Sequence, residues 1–97
     1  MKTYVILRRR GWQSGADLAA TADRSSAVGD EMSDDIRWLR SYVIEEPDGA
    51  FGTVCVYQAT SPEAIREHAD RVGMPAHEIV AVGDTLIVRP DPEAGSE

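Results

Sequence analysis

The chain has one cysteine and one phenylalanine in 97 residues. A single thiol, Cys55, cannot close an internal disulfide, which suits a reducing compartment. Long apolar runs are also missing. The opening "MKTYVILRRRG" has too short an apolar stretch for a signal peptide, and its charges follow that stretch rather than lead it. No segment approaches the roughly 20 apolar residues of a membrane helix. Basic charge is scarce, with 10 Lys and Arg against 17 Asp and Glu and a net charge of −7. That balance disfavours a phosphate backbone as partner, since such binding needs clustered cations. Glycine-rich and nucleophile-elbow signatures are absent, so nucleotide and serine-hydrolase chemistry lose their usual marks. The expectation is a soluble cytoplasmic protein with neither nucleic acid nor membrane as partner.

A hydrophobic fraction of 42% is ordinary for a globular chain, and the length fits one domain. We place that domain over residues 1–90, with "DPEAGSE" at 91–97 as a polar, mobile tail. "TYVILRR" is rich in β-branched and aromatic residues and predicts a first strand over about residues 2–9. A helix over about residues 14–28 follows from Leu18, Ala19, Ala22, Ser26 and Gly29 at helical spacing, with Ser14 or Ser25 as cap. In "IRWLRSYVIEE" the alternation puts Ile36, Trp38, Arg40, Tyr42 and Ile44 on one side and Leu39 and Val43 on the other. "EPDGA" supplies turn residues, and "FGTVCVYQA" at 51–59 completes a β-hairpin. "TSPEAIREHADRVG" is a second helix, with Ser61 as N-cap, Pro62 in the first turn and Gly73 as C-terminal cap. "HEIVAVGDTLIVRP" closes the pattern with a fourth strand broken at Gly83-Asp84.

The order β-α-β-β-α-β is the split βαβ, so the fold class is α+β, a ferredoxin-like βαββαβ sandwich. Both helices cover one sheet face and leave the other partly apolar. A domain this small would cover that face with a second copy, giving a homodimer whose sheets meet. An RNA-recognition domain of this fold carries stacking aromatics on its third strand. Here "GAFGTVCV" matches at Phe51, Gly52 and Val54. It has Gly49 at the basic position and Thr53 at the second aromatic, so RNA binding is not expected.

The run from Ile36 to about residue 82 holds "RWLRSYV", "CVYQATSPEAIREHA" and "GMPAHEI". It resembles a bacterial family of small domains of unknown function described as nickel-binding-protein-like. The likeness rests on Trp38, Tyr42, Cys55, Tyr57, Ser61, Pro62, Ala64, Ile65, Gly73 and Pro75. It implies a ferredoxin-like fold forming a dimeric α/β barrel. It also implies nickel, or another divalent metal, as a bound group in some members.

The candidate metal ligands are the chain's two histidines, His68 and His77. Nickel takes imidazole and oxygen donors, and Glu67, Asp70, Glu78 and Asp23 are the acids within reach of such a site, in one chain or across a dimer. His68 shares a helix face with Ile65 and Val72, so it reads first as a packed histidine and next as a ligand or general base, and it is the better functional candidate of the two histidines because a capped helix holds it. His77 follows Pro75 on a loop and reads as a solvated side chain or a second ligand. Cys55, between two valines, reads as a small buried hydrophobe. Asp30, Glu31, Asp34 and Asp35 read as a solvated helix end. Arg8, Arg9 and Arg10 form the one basic run, a solvated strand end or an anion site. Three function classes follow. The first is a dimeric protein that binds a divalent metal or small ligand. The second is a cofactor-independent barrel enzyme (monooxygenase, isomerase or cyclase) in which Trp38, Tyr42 and Tyr57 line a pocket and His68 is the base. The third is a ligand-free structural module.

Overall fold

The computed structural model describes residues 1–93. Six elements follow in the order the pattern predicts: β1 (Lys2–Trp12), α1 (Gly15–Glu31), β2 (Ile36–Glu45), β3 (Phe51–Ala59), α2 (Pro62–Val72) and β4 (Glu78–Ala81). The strands form one antiparallel sheet in the order β2-β3-β1-β4. This is the ferredoxin-like arrangement, with α1 and α2 packed against each other. The last four residues of the expected tail, 94–97, lie outside the described residues. Among the described residues no helix is long and apolar enough to cross a membrane.

Strand alternation builds the core. Tyr4, Ile6 and Arg8 on β1 are buried, as are Thr53, Cys55, Tyr57 and Ala59 on β3. Register sets Ile6 opposite Cys55 and Tyr4 opposite Tyr57. Met32, Ile36 and Ile65 complete the cluster. Full burial of a side chain such as Ile6 or Ile65 stabilises the fold by about 1.5–3 kcal/mol.

Both helices are positioned by their caps. The Ser61 hydroxyl accepts from the Ala64 N–H at 3.2 Å, and Pro62 opens α2. Gly73 ends α2 at φ 84°, a left-handed conformation that a side chain would oppose. Ile65, His68, Ala69 and Val72 are the buried face. Ser14 caps α1 by accepting from the Asp17 N–H at 3.1 Å. The inward face of α1 is turned from the predicted one: Thr21 and Ser25 are buried while Ala19 and Ser26 are exposed. Both hydroxyls face partners on the inside. Thr21 Oγ1 accepts from Trp12 Nε1 at 2.8 Å and donates to Asp17 O at 3.0 Å, and Ser25 Oγ meets Tyr57 Oη at 3.3 Å.

Two strands depart from the simple pattern. In β2 the register shifts between Trp38 and Arg40, so a bulge at Leu39 moves every later side chain to the other face. Trp38 pairs opposite Tyr57 on the helix side, while Tyr42 and Ile44 lie opposite Val54 and Gly52 on the open side. The predicted single row of Trp38, Arg40, Tyr42 and Ile44 is therefore split. In β4, pairing stops at Ala81, opposite Tyr4, with one more bond from Val82 N–H to Thr3 O. The continuation of that strand expected beyond Gly83-Asp84 does not form, and Leu86, Ile87 and Val88 are 80–91% exposed. The segment returns to the sheet at Asp91, which accepts from Tyr42 Oη at 2.8 Å and pairs with Arg40.

Candidate functional site

The polar groups buried between the helices and the sheet centre on Ser25. Its carbonyl lies 3.0 Å from His68 Nε2. A carbonyl only accepts, so Nε2 carries the proton and Nδ1 keeps the bare lone pair. The His68 ring has no exposed surface, and Nδ1 has no partner. Burial pushes the imidazole pKa below its usual value, and the charge of Arg8 works in the same direction against the opposing bond to Ser25. The ring is thus neutral at neutral pH.

Tyr57 joins the two sides of this set. Its ring meets His68 edge-on at 5.5 Å and stacks on Trp38 at 6.1 Å with 11° between planes. Burial pushes its phenol pKa up, so it remains a neutral phenol. Of the expected pocket residues, the fold gathers Trp38, Tyr57 and His68. Tyr42 is on the opposite sheet face, because the bulge at Leu39 reverses β2 after Trp38.

Arg8 is the residue that residue-type reasoning passed over. It is 1% exposed, in contrast to its exposed neighbours Arg9 and Arg10. Its Nε donates to Pro75 O at 2.6 Å and its Nη1 to Cys55 Sγ at 3.1 Å, while Nη2 has no partner. Strand parity carried the signal: Arg8 is in phase with the inward Tyr4 and Ile6. Cys55 is buried, as its valine neighbours suggest, but it is more polar in contact than a hydrophobe. Trp38 Nε1 donates to Ser41 Oγ at 2.8 Å, which donates to Cys55 Sγ at 2.9 Å.

Arg9 and Arg10 have a different partner. The Glu46 carboxylate, itself shielded from solvent, accepts from Arg9 Nε at 2.9 Å, Arg9 Nη2 at 2.7 Å and the Arg10 N–H at 2.8 Å. The Arg9 bond is the main reason its pKa falls to about 2. Gly52 makes room for this clamp, because a Cβ there would lie 2.5 Å from Arg8 O and 2.9 Å from Glu46 Oε2.

His77 is exposed, and its Nδ1 accepts from the Arg9 N–H at 3.3 Å. His68 is enclosed against α1, and Asp23, Glu67, Asp70 and Glu78 are exposed. Among the described residues no three of His, Cys, Asp and Glu gather as a metal group. Nickel needs several convergent imidazole or oxygen donors, so the described residues of one chain do not fit a nickel centre around either histidine.

The family described as nickel responsive protein SCO4226-like matches residues 4–82. The crystal structure of SCO4226 from Streptomyces coelicolor A3(2) superposes with a TM-score of 0.67 at 19% identity, covering 87% of this chain and 99% of that one. Likeness at that identity speaks for the fold. No curated protein matches the chain.

Proposed function

We propose, from the premise that the chain belongs to the nickel responsive protein SCO4226-like family, that it is a small homodimeric binding protein for nickel or another divalent metal. Each ion is held by donors from both copies. The family match carries the metal part of the reading. The donor count of a single chain supports sharing, since its described residues bring no three ligands together. His77 is the favoured ligand. It is exposed, and with Nδ1 occupied by the Arg9 N–H its Nε2 is the atom left to coordinate, with Glu78 beside it. Two copies of His77 and Glu78 would supply four imidazole and carboxylate donors, a set that suits nickel.

The dimer reading rests on exposed apolar surface. Tyr42 and Val80 on the open sheet face are about half exposed, and Leu86, Ile87 and Val88 stand almost free. Isolated surface hydrophobes are ordinary, but three consecutive ones beside an apolar sheet face mark an interaction surface. The test is calorimetric titration of untagged, metal-free protein with nickel, alongside light scattering. The expected result is a dimer mass and saturable nickel binding that His77→Ala weakens by about tenfold or more. A monomer that takes up no nickel would overturn the reading.

A further inference from the structure

Resting on the homodimer proposed above, we infer that residues 82–91 form a strap whose aliphatic side chains pack on the open sheet face of a second copy, each strap covering the other copy's sheet.

The strap is held at both ends and bare in the middle. Just past β4, the Val82 N–H donates to Thr3 O at one edge of the sheet. Asp91 accepts from Tyr42 Oη at 2.8 Å and pairs with Arg40 on β2, the opposite edge. A segment fixed at both edges is presented in place rather than left as a loose tail. Between these ties, among the described residues, no backbone hydrogen bond joins residues 85–90 to the sheet. Leu86, Ile87 and Val88 are almost fully exposed, so the sheet of their own chain gives them no cover.

The open face is the matching surface. Val5 and Leu7 alternate with the buried Tyr4, Ile6 and Arg8, and Val56 and Val54 lie opposite them on β3. Val80 pairs opposite Val5 on the other side and is about half exposed. Size and symmetry choose how two copies use these parts. A stable dimer buries about 800 Å² on each partner, and three aliphatic side chains alone fall short of that. Strap against strap would also leave both valine-rich faces wet. A two-fold interface joins one patch to itself, so that residue i meets j and j meets i. Strap on sheet therefore forms twice and covers both exposed surfaces of each chain.

The test is cross-linking in the full chain. Ile87→Cys and Val80→Cys chains are coexpressed with two different affinity tags, purified through both, and treated with a short bis-maleimide. Wild type, whose single thiol Cys55 is buried, sets the background. The expected result is a covalent dimer from the mixed species and none above background from either variant alone. A mixed dimer that does not cross-link, or Ile87→Cys alone cross-linking as well as the mixture, overturns the strap placement and leaves the homodimer standing. A wild type that is monomeric by light scattering overturns both. Should either substitution prevent assembly, isotope-filtered NMR of the wild-type dimer decides. Contacts between the Ile87 methyl groups of one copy and the Val80 methyl groups of the other are present if the placement is right and absent if it is wrong.

Discussion

The indole of Trp38 lies almost parallel to the phenol ring of Tyr57, with 6.1 Å between ring centroids. The pair sits immediately before the bulge in β2, at the last position where Trp38 can still face the helices. Tyr57 is the buried member and Trp38 the half-buried one. Tyr57→Ala should destabilise the protein by about 3–5 kcal/mol, the range for deleting a buried aromatic, and Trp38→Ala by less. Tyr57→Phe removes the hydroxyl that meets Ser25 Oγ and should cost about 1 kcal/mol. Urea unfolding of the three variants checks the order.

His68 is expected to support the fold rather than the metal. His68→Ala empties a site with no solvent access and strips Ser25 O of its partner, so a loss of about 2–4 kcal/mol is expected. Nickel affinity in whatever remains folded should stay unchanged. Since the folded pKa is depressed, the unfolded chain takes up this proton first as pH falls below about 6.5. The stability linked to the neutral ring is present above that pH and is lost progressively below it. Melting temperatures from pH 8 to pH 5 should show the slope in wild type and a flatter profile in His68→Gln.

Glu46 predicts a second, more acidic transition. Its carboxylate is held near pKa 2 against an ordinary value of 4.5, chiefly by the Arg9 bond. A lowered folded pKa means stability that is complete above the ordinary value and lost as pH falls towards 2. Glu46→Gln should be less stable at neutral pH and lose less between pH 4.5 and pH 2. Denaturation curves at several pH values in that window would contradict the assignment if both proteins fell in parallel.

The exposed apolar segment offers a variant that separates assembly from folding. Leu86 and Ile87 are 91% and 80% exposed in one chain. Aspartate at both positions should therefore alter the stability of the single chain by no more than about 0.5 kcal/mol each. If the segment and the open face join two copies, the same double variant should shift the mass by light scattering from dimer to monomer. A dimer that persists in this variant would move the interface elsewhere.

Residues close together in the chain determined a large part of this molecule. Ser61, Pro62 and Gly73 set both ends of α2, because capping involves groups within a few residues of each other. Alternation located β1 and β3, and the element order alone indicates the ferredoxin-like sheet. Alternation in β1 even assigns Arg8 to the inside, although a run of three arginines reads by residue type as a solvated end. Tertiary pairing decided the rest. The bulge at Leu39 depends on how β2 meets β3, and it separates Tyr42 from Trp38, two residues that share a face in any unbroken strand. The placement of β4 depends on its pairing with β1, more than 70 residues away in the chain. The surroundings of Arg8, with Pro75 O, Cys55 Sγ and an open Nη2, arise from three separate segments. Local preferences act through neighbouring backbone groups, whereas register, burial and the offset of a charge depend on partners that only the folded chain brings near.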